Sequence, residues 1–556
     1  MVTERQQQAV EAYNDHSLTT QEAADLINMN HRNFLRMIKK VRDSGEVMLK
    51  DRKNIRQMSV CVNNDNPAAE PEIVEPAWDV EHVSQRTGKI QHHLNQTRSG
   101  RYVITAAQNA TPVHKDFWIA LQHYCKANNA ELLVIPYRYK NVTNIHTTKD
   151  RGQEWWSAEV LPFICDQRIQ INDNLVVFGD ISIQPTAVNP LSGFESISQD
   201  KSAIFGHSKR QLTTIPTPQS RLPKILTTSG VCTIKNYVPA KAGKKAEFHH
   251  CLGAAVVEVC GDHVYHMRQI NACSDGSFID LNKEYTVSGV QAAGRPLAIE
   301  LGDSHAFMED RRVSIATFES DDSICAVLNP ERVVVNDVLD FHSRNHHHKN
   351  DPLYNYWKHH SHTDCVESEI KLTCHYIDRI RWPVIIKRSN HDEAMERWLK
   401  EADPKHDPRN ARLYHATMAQ ILTIHDERMA AGLVYESVDP FELVARQHLE
   451  HSDVRFLRRD ESCVIGGVEV SYHGDQGPNG VRGSRKAFTR IGVKVTIGHS
   501  HSPGIEEGVY QVGVSAKMDM GYNKGPGSWL HTHCVTYANG KRTLINVIDG
   551  QWRATE

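Results

Sequence analysis

The segment VTIGHSHSPG, Val495 to Gly504, decides how this chain is read. Val493, Val495 and Ile497 fall on alternate positions, the period of a buried strand face, and Gly498 stops the run. The strand therefore delivers His499 and His501 into one loop. Residues two apart on an extended chain face the same way, so a His-x-His pair at a strand end can grip a metal ion from one side or bridge two. In a chain of 556 residues with 33 histidines, one such pair is weak evidence by itself.

Four apolar strands upstream add weight, because each also ends in candidate ligands. PLAIELGDSH ends in Asp303 and His305, ERVVVNDVLD in Asp337 and Asp340, WPVIIKRSNHD in Asn390, His391 and Asp392, and VIGGVEVSYHGD in His473 and Asp475. Strand ends that converge on one sheet edge are where α/β proteins place their sites.

The ordered series D-x-H, D-x-x-D, N-H-D, H and G-H-x-H, spread over residues 295–550, resembles the five-block signature of the calcineurin-like metallophosphoesterases. That superfamily includes the double-strand-break repair nucleases of the SbcD type. The resemblance implies a C-terminal four-layer α/β/β/α sandwich around two divalent ions. By the family pattern Asp337 bridges the ions, Asp303, His305 and His501 complete one shell, and Asn390, His473 and His499 complete the other. His391 would stand over the leaving oxygen as general acid or charge stabiliser, oriented by Asp340 in a His-carboxylate pair. Carboxylate, amide and imidazole ligands without thiolate favour Mn, with Fe, Zn and Mg as alternatives. Two positions depart from the pattern: Asn336 and Ser389 stand where glycines usually precede the second-block aspartate and the third-block asparagine. Asparagine tolerates a left-handed backbone, whereas Ser389 leaves the turn geometry at Asn390 open.

The length allows two to four domains of mixed α/β (α+β overall) class. A net charge of -3 leaves no global basic footprint, so a nucleic-acid partner must be held by local patches. Twelve cysteines without a C-x-x-C suit a reducing cytosol, and no run approaches the ~18 apolar residues of a membrane span. A cytoplasmic protein that does not engage membranes is expected.

Residues 1–45 carry helical periodicity in three pieces and resemble a helix-turn-helix. Arg32, Arg36, Lys39, Lys40 and Arg42 on the third helix are candidates for DNA contact; the alternative is a docking module with a solvated basic face. Residues 46–98 read as a polar linker, and 99–292 as an α/β domain for DNA positioning or subunit contact. Within it FGDISI, with Gly179 and Asp180, imitates a metal block but reads as an ordinary strand end. Residues 293–556 form the phosphoesterase domain, with insertions at 343–375, rich in histidine, and 393–450, helical by pattern. His531-Thr532-His533 is a second His-x-His that reads as structural.

In its length and in this combination of helical N-terminus, α/β middle and C-terminal phosphoesterase, the chain is similar to the large pre-early DNases of T5-like bacteriophages. That likeness implies a metal-dependent DNase degrading host DNA, with double-stranded DNA as partner. A homo-oligomer is expected. The alternatives are a phosphatase or phosphodiesterase acting on a protein or small nucleotide, and a DNA-binding regulator with an inactive phosphoesterase domain. The complete ligand set disfavours the regulator.

Overall fold

The computed structural model describes residues 3–15, 20–44, 78–139, 155–345, 348–459 and 461–554, in two compact units, Met1–Glu75 and Pro76–Glu556. In the first unit, α1 (Glu4–Asn14), α2 (Thr20–Leu26) and α3 (His31–Ser44) bury Ala9, Tyr13, Ala23, Ala24, Phe34 and Ile38 in one small core. A capping box closes the start of α1: the Thr3 hydroxyl accepts from the Gln6 amide and the Gln6 side chain accepts from the Thr3 amide. Asn28 takes the left-handed conformation at the tight turn into α3.

The segment 46–98 is not wholly a linker. Its last part forms α4 (Val80–Thr97), capped by the Asp79 carboxylate on the Glu81 and His82 amides. Val83, Thr87, Ile90 and Leu94 are its buried stripe, a one-sided period that the surrounding polar residues hid from composition. Residues 46–77 lie outside the described residues.

Two sets of strands follow. The first is β1 (Ser99–Gln108), β2 (Ala130–Tyr137), β3 (Arg168–Asn172), β4 (Leu175–Phe178), β5 (Ser202–Phe205), β6 (Gln211–Ile215), β7 (Lys224–Thr228), β8 (Gly253–Cys260) and β9 (Val264–Asn271), with α5 (Lys115–Ala127) between β1 and β2 and α6 (Lys241–Phe248) before β8. After a three-stranded meander, β10 (Phe278–Asp280), β11 (Lys283–Thr286) and β12 (Gly289–Ala292), the second set is β13 (Ala298–Glu300), β14 (Val333–Val335), β15 (Val384–Ile386), β16 (Val454–Phe456), β17 (Val464–Ile465), β18 (Val468–Glu469), β19 (Lys494–Ile497), β20 (Gly504–Glu506), β21 (Val509–Gln511), β22 (Thr532–Thr536) and β23 (Arg542–Asn546).

Both sets share one connectivity. β1 pairs parallel with β2 and antiparallel with β8, which pairs with β9; β13 does the same with β14, β22 and β23. In the order 3-4-5-7-6 the directions are antiparallel, parallel, parallel, antiparallel, and they repeat in the order 17-18-19-21-20. The second lobe adds β15 and β16 to its parallel edge. β6 and β20 then pair antiparallel, with Leu212 opposite Ile505 and Thr213 opposite Gly504, which fuses the two five-stranded halves into one ten-stranded sheet. Register makes Leu212 the counterpart of Ile505, so the chain is a tandem duplication with a local two-fold at that pair. The division expected between 99–292 and 293–556 is therefore crossed by a continuous sheet: the boundary separates two repeats and not two independent bodies.

In the second lobe, alternation decides the layers. Ile299, Val333, Val335, Val384 and Ile386 face helices α8 (Val366–Asp378), α9 (Ala394–Glu401) and α11 (Pro440–Ala445), while Ala298, Val334 and Ile385 face Ile465, Val468 and Val470 of the ten-stranded sheet. The strands read as unbroken apolar runs because both faces are covered. The insertion expected at 343–375 is only half an insertion: α7 (Pro352–His360) is largely exposed, but α8 buries Val366, Ile370, Cys374 and Ile377 in the main core. Residues 393–450 carry three α-helices, α9, the largely exposed α10 (Ala411–Ala430) and α11, joined by turns and irregular segments.

A buried ion pair ties the sheets together beneath the strand ends. Lys387, fully buried, donates to Glu300 Oε1 at 2.5 Å and to the carbonyls of Thr496 (3.1 Å) and Tyr472 (3.3 Å) across the interlayer. Removing one partner leaves an uncompensated buried charge, which typically costs about 3–5 kcal/mol. Lys387→Met is expected to lower the urea midpoint accordingly, and Lys387→Met with Glu300→Leu to recover part of the loss; equal stabilities for the single variant and wild type would remove this tie from the account.

Candidate metal centre

The ends of the second lobe's strands meet at one point. Asp303 and His305 follow β13, Asp337 follows β14, His473 follows β18, and His499 and His501 follow β19. One ligand atom from each of Asp303, His305, Asp337 and His501 lies within 4.8 Å of the others, and all four residues are buried. His501 Nε2 is 3.1 Å from Asp303 Oδ2 and 3.1 Å from His305 Nε2. Asp337 Oδ2 is 3.5 Å from His305 Nε2 and 3.5 Å from His473 Nε2, the position of a carboxylate shared between two halves. The His499 ring packs edge-on to His473 at 5.3 Å, and Asn390 is half-buried in the turn after β15.

The polar atoms facing this point are unsatisfied by protein. Both oxygens of Asp303, His473 Nε2 and Asn390 Oδ1 are buried without a hydrogen-bond partner of good geometry. Buried polar atoms are almost always paired, so a convergent set of orphaned oxygen and nitrogen acceptors fits a resident cation. Electrostatics agree: burial by itself would depress His305, but Asp337, Asp340 and Asp303 push it up to about 9, and Asp337 is held well below the usual carboxylate range by the surrounding imidazoles against the opposing effect of burial. The carboxylates favour positive charge at His305, whereas burial depresses His499 and His501.

His305 Nδ1 pairs with Asp340 Oδ1 at 3.1 Å, which aims Nε2 at the cluster. The pairing expected between Asp340 and His391 is made differently. His391 Nδ1 donates to the Asp340 backbone carbonyl at 3.0 Å, and the carboxylate stands off at 3.6 Å because it is occupied by His305. His391 lines a cavity of about 400 Å³ with Phe307, His342, Tyr354, Trp357 and Tyr522. Of the histidine-rich segment, His348 reaches that cavity, as does His342 just before it; His359 pairs with Asp364, and His346 and His347 lie outside the described residues. His531 and His533 bond to the Ala516 carbonyl, the Gly302 amide and Thr317, so that His-x-His is structural.

Both departures from the glycine pattern are resolved locally. The left-handed residue is Asp337 itself (φ 50°), not Asn336, whose amide instead donates to Glu300 Oε1 and the Leu301 carbonyl. Ser389 needs no positive φ; its hydroxyl donates to Asp337 Oδ1 at 2.5 Å and accepts from the amides of His391 and Asp392. Asp392 accepts from the Leu339 and Ser389 amides, and burial followed by Asp337 raises it to about 7. Sequence reasoning flagged Ser389 without giving it a role and missed Glu300 and Lys387, although two opposite charges inside apolar strands were a signal. On α3, Arg32, Arg36, Lys39 and Lys40 are exposed opposite Phe34, Ile38 and Val41, and the side chain of Arg42 lies outside the described residues.

Gly498 is fixed by the centre. A Cβ there would sit 2.2 Å from Asp303 Oδ1 and 3.2 Å from the Asn336 amide. Gly498→Ala is expected to displace Asp303 and lower bound metal by at least half, by elemental analysis, with the circular dichroism spectrum retained; full stoichiometry would refute the assignment of Asp303 as a ligand.

The mixed α/β architecture and buried Asp/His cluster are consistent with a calcineurin-like phosphoesterase fold. No protein-family model and no solved structure matches the chain. It is 33% identical over 471 residues to Protein A1 of Escherichia phage T5, an alignment covering 82% of this chain and 83% of that one. At that identity and coverage the chain belongs to the family of the phage T5 Protein A1.

Proposed function

We propose that the protein is a metal-dependent DNase hydrolysing phosphodiester bonds of double-stranded DNA at the Asp/His centre, in the service of host-DNA degradation in the infected cell's cytoplasm. The observation that carries the reading is the shared position of Asp337 between the Asp303-His305-His501 group and His473. It supports two cation positions, with Asn390 and His499 completing the second, inside a four-layer α/β/β/α repeat. The hard, mixed donor set favours Mn.

Divalent cations bound there supply charge neutralisation for the phosphate and lower the pKa of an attacking water. The chain's own groups do the rest. Asp340 and Ser389 hold His305 and Asp337 in the orientation that leaves their outer atoms free. A carbonyl fixes the proton on His391 Nδ1, so Nε2 is the end that holds or gives up a proton at the cavity wall, where the leaving oxygen would lie. No described helix is long and apolar enough to cross a membrane.

Plasmid degradation should stop in excess chelator and return with Mn better than with Ca. His391→Ala should keep its metal and lose roughly 10²- to 10⁴-fold in turnover, whereas Asp337→Ala should lose metal. Full activity of chelated, metal-free protein, or metal loss in His391→Ala, contradicts these roles.

The exposed cations of α3 favour a phosphate-contacting role for the first unit. Replacing Arg32, Arg36, Lys39 and Lys40 by Ala is expected to weaken duplex binding and flatten its salt dependence by up to about 3.6 in slope, with hydrolysis of bis-p-nitrophenyl phosphate retained. An unchanged slope would favour the docking-module reading.

A further inference from the structure

The first lobe repeats the catalytic topology without its ligands. Phe205 pairs with Thr228 as Ile497 pairs with Gln511, and each strand is followed by Gly-His-Ser. Lys209 thus takes the place of His501. Val176 pairs with Ala203 as Glu469 pairs with Val495, which puts Asp180, ion-paired to Arg168, at the place of His473. Where Gly498 faces Asp303 and Asn336, Gly206 faces Ala106 and Ile135. The retained His207 is buried and bonded to the Gln184 carbonyl and the Lys209 amide. This lobe cannot hold the same ions.

Its end instead opens on a cavity of about 850 Å³ shared with the underside of the second lobe. The cavity is basic. The carboxylate on its wall, Glu507, is engaged by Lys209 at 3.1 Å and His249 at 3.6 Å. Arg210 and Arg542 satisfy their donors on carbonyls, hydroxyl and amide oxygens, which pair the hydrogens but leave both charges unneutralised. Lys494 and Lys541 form no ion pair with a carboxylate among the described residues; Lys235 forms none either, though its charge reaches Glu247, which is itself paired to Lys244. Crowding agrees: burial, then Lys541 and Arg542, depress Lys494. At the rim Phe248, the last residue of α6, is 82% exposed, with Ile234 and Val493 exposed beside it.

We propose that this cavity binds a nucleotide unit outside the catalytic centre, its phosphate on Lys235, Lys494 and Lys541 and its base against Phe248. Unneutralised cations around a concavity attract a phosphate, and an exposed aromatic ring accepts any base by stacking. The source is either a strand of the nucleic acid or a free mononucleotide, and the choice of a nucleotide over another organic phosphate rests on the DNase reading.

The test uses full-length protein in chelator, so that nothing is cut. Binding of a fluorescein-labelled oligothymidylate is followed by anisotropy, thymidine monophosphate serves as competitor, and a 5-iododeoxyuridine oligonucleotide is photocrosslinked and mapped. Lys494→Ala/Lys541→Ala is expected to weaken oligonucleotide binding at least ten-fold and lower the salt slope by about 1.4. Phe248→Ala should weaken it about 5- to 100-fold, with the crosslink on the peptide containing Phe248. Lys235→Ala, on a separate loop, reads the same cavity if the double variant does not fold. Competition by the mononucleotide assigns a free nucleotide; its absence assigns a strand. Wild-type affinity in both lysine variants, or crosslinks confined to residues 1–45 and the metal centre, overturns the proposal. The DNase reading is judged separately, by cleavage: a wild-type protein that binds here but cuts no DNA keeps the cavity and loses the nuclease.

Discussion

The contact between Gly498 and Asp303 sets the geometry of the second lobe. Stacked sheets stand about 10 Å apart, and the short Asp303 side chain of one must reach His501 of the other, 3.1 Å away. Only a residue without a Cβ lets the β19 strand end come close enough, and the carboxylate oxygen fills the space a methyl group would take. The left-handed conformations of His305, Asp337, His499 and His501 belong to the same constraint: the loops must turn sharply at the ligands to point them inward. Below them Lys387 and Glu300 hold the two layers at a fixed separation, so the ligand constellation inherits the rigidity of a buried, multiply bonded pair.

Much of this centre was legible in the sequence because its ligands sit at strand ends, where apolar runs of period two or continuous burial announce the strand and the next polar residue announces the site. Asp303, His305, Asp337, His473 and His501 converge as their strand ends imply. The partner of His391 was not legible, because a backbone carbonyl leaves no mark in a side-chain pattern and Asp340 was already committed to His305. Helix α4 was hidden for a different reason. Its buried stripe is four residues in eighteen, too few to change the polar composition of the segment.

The duplication was missed because the two repeats share connectivity and few residues. What they do share is confined to points of close approach: Gly-His-Ser after β5 and β19, and Gly-Val at residues 230–231 and 513–514. These glycines persist where a Cβ would meet backbone or packed side chains, whatever the chemistry nearby. Gly513 would clash with the Leu530 carbonyl, and Gly230 approaches the backbone of Gly253. The surrounding strands need only be apolar, so their identities drift. FGDISI imitated a metal block because it occupies the place of the fourth, in a lobe where Ala106 and Ile135 face Gly206 as Asp303 and Asn336 face Gly498, and where Lys209 stands at the place of His501.

The two lobes show how one backbone can be set for opposite charges. In the second, orphaned carboxylate and imidazole acceptors converge and raise the affinity of the point for cations, as the elevated His305 indicates. In the first, removal of Asp303's counterpart and placement of Lys209 at His501's position abolish that field, and the cations that line the neighbouring cavity reverse it. The reversal requires no change in connectivity. The chain's net charge of -3 carries no trace of either site, because each acts only within the ~10 Å over which salt leaves a charge unscreened.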